Sequence, residues 1–414
     1  MRRLPSELID HIVDHLHDER STLRRCSLVN HDWLISSWFH LFDTVHIKVK
    51  EDEEIDAVLD KFNEPPRFRA YVRALHLEGS ALKPYYFATS TIHGDRIIHI
   101  FNTFSSLHTY IINGFRVATV GAAEDSNAPQ QAPVLSQRTL PKLVLADVDM
   151  DQAYLIRLLS SLRPIREIQF LCVTVSGLDI APDDPDTIPT LGLRTATFEG
   201  CYAAASFSAA SFFKHFPHLK CDLTSLDIDI LNVASGGLSV GEQIRTTGLL
   251  INEVGPRLTD LRLDLLSSSG YYTGLDSDSL WKPFNLTRCS SLQSLWVSTD
   301  DEFYDNVFKD NPLLSLITVL TASAQTFQHL TLALGSAGKD GPFPNCVEVG
   351  ISQFESFLVS LPVLQSITFV ADRTRKDHRR MAEVAEPIHS EKRQWLIDKL
   401  PELHSKGILR IPDA

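Results

Sequence analysis

One short pattern recurs eleven times along the 414-residue chain: an apolar residue, two others, a second apolar residue, one other, and a third. It stands at Phe42/Val45/Ile47, Val72/Leu75/Leu77, Leu107/Tyr110/Ile112, Leu140/Leu143/Leu145, Ile165/Ile168/Phe170 and Leu193/Ala196/Phe198. It returns at Leu223/Leu226/Ile228, Leu258/Leu261/Leu263, Leu292/Leu295/Val297, Phe327/Leu330/Leu332 and Leu364/Ile367/Phe369. Successive starts lie 25 to 37 residues apart, the length of one supersecondary unit in a repeat array. Within each occurrence the last two apolar positions alternate with other residues, as a strand with one buried face requires. Helical patterning fills the intervals, at Asp151 to Leu162, Ser206 to Phe216, Val240 to Val254, Leu313 to Ala324 and Ile351 to Leu361. Strands that return in the same direction, each joined by a helix, pair in parallel. The expected fold is therefore α/β, a curved solenoid with a parallel sheet. A non-repeat α/β domain built on a parallel sheet shares the alternation and is the rival.

The pattern resembles leucine-rich repeats of the irregular kind found behind F-boxes. It departs from the family at the Asn or Cys expected three residues after each third apolar position. Cys201 fills that slot once, whereas Phe115, Val148, Leu231 and Asp300 occupy it elsewhere. Without an asparagine ladder, a less regular curve is expected.

The stretch Leu4 to Phe42 has a different character. Pro5 suits a helix start, where its missing amide is no loss. Leu8, Ile12 and Leu16, joined by Ile9 and Val13, make an apolar face too wide for so short a helix to bury against itself. Ser21 can cap a second helix carrying Leu23, Cys26, Leu28 and Val29, and Asn30 a third carrying Trp33, Leu34 and Trp38. The order LPSEL, then LRRCSLVNHDW, then a closing LF resembles an F-box, the module that holds a subunit of an SCF-type ubiquitin ligase to its Skp adaptor. The charged connection His17 to Thr22 lacks the family's aspartate-proline turn. By this resemblance Leu4, Pro5, Ile9, Ile12, Leu16, Leu28, Val29 and Trp33 match the adaptor-binding pattern, and the adaptor would link the chain to cullin.

The domain organisation expected is an F-box-like helical module over 1–43 and a leucine-rich-repeat-like solenoid over 44–414. Residues 121–138, rich in Ala, Pro, Gln and Ser, read as an insertion. The charged run Asp372 to Arg380, a last helix over Ile388 to Leu400 and a short strand at Ile408 to Ile411 read as a polar C-terminal cap, which an open-ended array needs.

A formal charge of −13 and a pI near 5.6 argue against nucleic acid as a partner, since phosphate neutralisation needs a basic footprint. The start MRRLPSEL lacks the apolar core of a secretory signal. The apolar run Leu313 to Leu320 is too short to span a bilayer, so no membrane partner is expected. These features point to the cytoplasm or nucleus. The six cysteines show no CxxC pair and read as reduced thiols rather than a zinc site.

No constellation calls for catalysis, a metal or a cofactor. His11 and His15 have metal-ligand spacing, but Ile12 stands where a zinc-protease helix needs glutamate. His215 and His218 suit a helix C-terminus. Gly338-Lys339 is followed by Asp340, which excludes a phosphate loop. Gly237 to Gly241 matches a nucleophile elbow, yet Ser239 with Glu242 is equally a capping box. Asp183/Asp184 and Asp300/Asp301 read as solvated loop carboxylates. Arg373, Arg375, Lys376, Arg379 and Arg380 read as a solvated segment.

The residues between and after the inward-facing apolar positions must point from the opposite face of the sheet. That places Glu199, Asp227, Asp229, Arg262, Asp264 and Trp296 on one surface, a mainly acidic band with an aromatic anchor suited to a protein target. The expected function is a non-catalytic, substrate-receptor subunit of an SCF-type ubiquitin ligase, with the target unidentified. The alternative is a ligase-independent leucine-rich-repeat scaffold for protein interactions.

Overall fold

The computed structural model describes residues 4–49, 54–55, 57, 59–60, 66–79, 90–118, 140–162, 164–177, 192–200, 208–229, 240–264, 286–299, 312–321, 326–334, 345–371 and 388–412. The described residues divide into two compact units, one ending at Gly177 and one beginning at Gly192. The insertion at 121–138, Ser239, Gly338 to Asp340, both aspartate pairs and the basic run at 373–380 lie outside the described residues.

The first unit opens with three helices, α1 (Ser6–Asp14), α2 (Arg20–Cys26) and α3 (His31–Leu41). The Pro5 carbonyl accepts from the amides of Leu8 and Ile9 at 3.1 and 3.2 Å, so proline starts α1 without losing a bond. Ser21 does not cap α2; the helix begins one residue earlier, behind Glu19, whose carboxylate accepts from the Thr22 hydroxyl at 2.8 Å. Glu19 thus stands at the N-cap position in the charged connection, without its side chain accepting from a helix amide. Asn30 caps α3 as expected, its Oδ1 accepting from the amides of Asp32 and Trp33 at 2.9 and 3.2 Å. Ile9, Val13 and Leu23 form the buried core of this module, with Leu16, Trp33 and Leu41 packed against it.

Trp38 and Phe42 from the end of α3 meet Phe68, with ring centroids 4.6 and 4.5 Å apart, and the Arg73 guanidinium lies 4.4 Å over Phe39. The helices are thereby packed onto the segment that leads into β2; the strands that follow are β1 (Thr44–Val49), β2 (Ala74–Gly79), β4 (Thr109–Asn113), β6 (Leu140–Ala146) and β8 (Ile165–Leu171). These five lie side by side in that order, every neighbouring pair parallel.

A second parallel sheet accompanies them, β3 (Ser90–His93), β5 (Phe115–Ala118), β7 (Asp149–Asp151) and β9 (Thr174–Ser176), again in chain order. The sequence pattern does not announce it. The chain turns from the first sheet to the second through residues of left-handed backbone, Gly114 (φ 79°), Asp147 (φ 50°) and Cys172 (φ 54°), each two positions past a third apolar residue. The next residues, Phe115, Val148 and Val173, are buried. They stand in the slot that an asparagine or cysteine was expected to fill, and the backbone there is satisfied from the neighbouring repeat. Gly114 donates to Ala146 at 3.0 Å, Asp147 to Leu171 at 2.8 Å and Thr174 to Val148 at 2.8 Å. Inter-repeat backbone bonds replace the missing ladder.

The second unit carries β10 (Thr195–Glu199), β11 (Ser225–Asp229), β12 (Asp260–Asp264), β13 (Ser294–Thr299), β14 (His329–Leu334), β15 (Ser366–Ala371) and β16 (Leu409–Arg410), parallel and in chain order. Helices Ala209–His215, Val240–Val254, Pro312–Thr321 and Asn345–Val359 fill the intervals. The last of these starts six residues before the expected Ile351. In all eleven recurrences of the apolar pattern the second and third positions fall on strands, and from the second recurrence onward all three positions are buried. Phe198, at one such position, meets Phe212 and Phe213 of the following helix at 5.5 and 5.8 Å. The expected closing helix breaks at Leu400, and Pro401 begins a second one, Pro401–Ser405. Glu355 accepts from the amides of Glu402 and Leu403 at 2.8 and 3.1 Å, fastening that start to the preceding repeat.

Candidate functional site

The helical module leaves apolar surface uncovered. Among the described residues eight large hydrophobics are exposed, and six belong to the first 35 residues: Leu4, Leu8, Ile12, Leu28, Val29 and Ile35. On α1 the cause is geometric. Ile9 and Val13 turn inward, while Leu8 and Ile12 occupy the flank of the same apolar stripe, beyond the reach of α2 and α3. Leu28 and Val29, in the turn between α2 and α3, are 84% and 61% exposed. That turn is held by local backbone bonds, Leu28 to Arg25 at 3.1 Å and Val29 to Cys26 at 3.0 Å, so both side chains are presented outward.

The eight residues expected to meet an adaptor therefore separate. Leu4, Pro5, Ile12, Leu28 and Val29 are exposed; Leu16 and Trp33 are half-buried against the core; Ile9 is 2% exposed and belongs to the core itself. Leu8 and Ile35, which the motif did not single out, join the exposed set. Helical phase gives the signal for Leu8, four residues from Ile12.

The six residues expected to meet a target lie on the second unit's sheet face away from the helices, and none is fully buried. Asp227, Arg262 and Trp296 are register partners on β11, β12 and β13. The Arg262 guanidinium carbon lies 3.8 Å from the Trp296 ring centre, and its Nε is 3.8 Å from an Asp227 carboxylate oxygen. Asp229 and Asp264 are paired directly across β11 and β12, and Asp229 accepts from the Gly200 amide at 3.1 Å. Glu199 ends β10, one residue past the Phe198–Ile228 pairing.

Of the helical histidines, His11 and His15 are exposed with rings 4.7 Å apart, edge to face. A different cluster brings metal-type donors together among the described residues. His46, His76 and Glu78, on β1 and β2, each present one donor atom within 4.8 Å of the others.

No protein-family model matches the sequence. No curated protein is similar to it in sequence. Chains of solved structures do match, 22 in number. One belongs to the crystal structure of a TLR13–ssRNA13 complex, with 12% identity and a TM-score of 0.34 over 81% of this chain. The match takes in 34% of that chain, so this protein spans about a third of its length. A likeness at that level assigns neither family nor ligand. No described helix is long and apolar enough to cross a membrane.

Proposed function

We propose that this protein is a non-catalytic substrate receptor of an SCF-type ubiquitin ligase. Its three N-terminal helices take a Skp adaptor, and through it cullin, while its repeats hold a target protein. The observation that carries the reading is the apolar surface of Leu4, Leu8, Ile12, Leu28, Val29 and Ile35 on a module whose own core is already complete. Exposed large hydrophobics concentrated in one small element mark a protein contact. The F-box-like residue order names the partner class. The chain performs no bond chemistry in this reading; it supplies proximity, raising the effective concentration of a target's lysines near the ubiquitin carrier.

The test replaces Ile12 and Val29 together by aspartate in the full chain, then captures the Skp adaptor and cullin. Both positions are exposed, so folding survives while a carboxylate enters the dry contact. Loss of adaptor with an unchanged circular dichroism spectrum supports the reading; retained adaptor, or none bound by the unaltered chain, removes it.

A second reading has its own observation. Trp38, Phe39 and Phe42 pack on Phe68 and Arg73, so the helices also cap the repeats, as a ligase-independent scaffold would need. That reading expects a chain lacking residues 1–43 to lose stability and no adaptor to co-purify with the intact one.

A further inference from the structure

We propose that His46, His76 and Glu78 form a binding site for a borderline divalent transition cation of the zinc type, clipping the first two strands together. His46 and His76 are directly paired in the parallel register of β1 and β2, and their rings lie 4.2 Å apart at 37°. Glu78 is two residues beyond His76 on the same strand, hence on the same face. The His46 Nδ1 is 3.5 Å from a Glu78 carboxylate oxygen, close to the roughly 3.3 Å that separates two ligands of a tetrahedral zinc ion. All three donors lie within 4.8 Å of one another. Small side-chain rotations complete the approach, with no backbone movement.

The surroundings suit this use. Two imidazoles and a carboxylate are a borderline donor set that favours zinc, cobalt or nickel over calcium or magnesium, which want oxygen. Burial, and then the facing His46, lower the His76 pKa from its ordinary value, partly offset by Glu78. A neutral imidazole is the ligating form. Asn113, the register partner of Glu78 on β4, has a buried Oδ1 with no hydrogen-bond partner, a carbonyl oxygen on the adjoining position able to serve a metal-bound water. Lys48 competes, with its ammonium 3.3 Å from the other Glu78 oxygen, but its side chain is 81% exposed and can withdraw into water. Three protein ligands leave coordination positions open.

The experiment titrates the full, metal-free chain with zinc against a chromophoric chelator, and with cobalt by visible absorption. One equivalent of zinc is expected, with a tetrahedral cobalt spectrum and a raised unfolding temperature in zinc. His46→Gln, His76→Gln and Glu78→Gln each weaken binding by about tenfold or more and abolish the zinc-dependent stabilisation. Each side chain is partly exposed, so the variants keep the parent's unfolding temperature in chelator. His11→Gln/His15→Gln retains the site. Zinc binding unaffected by the three strand variants, or lost with the helical pair, or absent from the unaltered chain, overturns the assignment.

Discussion

Ile9 and Ile12 stand three residues apart on one nine-residue helix, yet Ile9 is 2% exposed and Ile12 40%. Ile9 belongs to the core cluster with Val13 and Leu23, whereas Ile12, on the flank of the same stripe, keeps much of its side chain open.

Alanine at these two positions should therefore report different things. Ile9→Ala removes packed methylenes from a small core and should cost about 2–5 kcal/mol of the module's stability. Ile12→Ala should stay within about 0.5 kcal/mol while weakening adaptor capture. Hydrogen exchange of the α1 amides separates the two, because only the first should lower protection.

Gly94 and Tyr154 constrain one another across the first unit. The Tyr154 hydroxyl donates to the Gly94 carbonyl at 3.1 Å, and a Cβ on Gly94 would collide with the edge of the Tyr154 ring. Gly94→Ala should thus displace a buried aromatic and cost about 1–3 kcal/mol. Tyr154→Phe, which leaves the shape and orphans one carbonyl, should cost about 1 kcal/mol. Urea denaturation of the two variants should place their midpoints in that order.

Burial raises the pKa of both Tyr110 and Tyr154 above the ordinary tyrosine value. The folded protein therefore keeps these protons after the unfolded chain has lost its own, near about pH 10. Their contribution to stability is whole below that pH and declines as pH rises toward the folded values. Near-ultraviolet titration should show both phenols silent until alkaline unfolding, and Tyr154→Phe should reduce the steepness of the alkaline stability loss.

Legibility in the sequence followed what each residue must do. The strands were visible because a half-buried parallel strand forces period-two burial, and Leu226 and Ile228 obey it as fully as Leu295 and Val297. The second sheet was not, because its strands are three or four residues long. Their entry corners use Asp147 and Cys172, residue types that do not advertise left-handed backbone as Gly114 does. At the module, the apolar stripe on α1 was legible, but its division into a buried and an exposed part depends on where α2 and α3 cross it. Hence Ile9 entered the expected docking set and Leu8 did not. His46 and His76 lie 30 residues apart in sequence and meet only through the register of two repeats, which no local spacing reveals.

Cysteine chemistry should divide by burial. Cys289 is buried beneath Gly255, where a methyl would meet its sulfur, and desolvation pushes its thiol up to about 11. At about pH 8 its thiolate is on the order of one part in a thousand. Cys221 is exposed. Iodoacetamide labelling read by mass spectrometry should modify Cys221 in the native protein and Cys289 only on unfolding. Early labelling of Cys289 would mean that the packing of β12 and β13 opens locally.

Arg262 bridges Asp227 and Trp296 on the exposed sheet face, and its contribution can be divided between them. Over the Trp296 ring its planar guanidinium gains a cation–π attraction that an ammonium on a flexible stem reproduces poorly. Toward Asp227 it makes a loose ion pair, 3.8 Å long and partly in water. A double-mutant cycle of Arg262→Ala with Trp296→Ala should return a coupling of about 0.5–1 kcal/mol. The cycle with Asp227→Asn should return less and shrink further in salt. Arg262→Lys should retain the weaker coupling and lose most of the stronger. If the aspartate coupling proves the larger, charge rather than stacking holds this arginine flat, and Trp296 is left free to serve a partner.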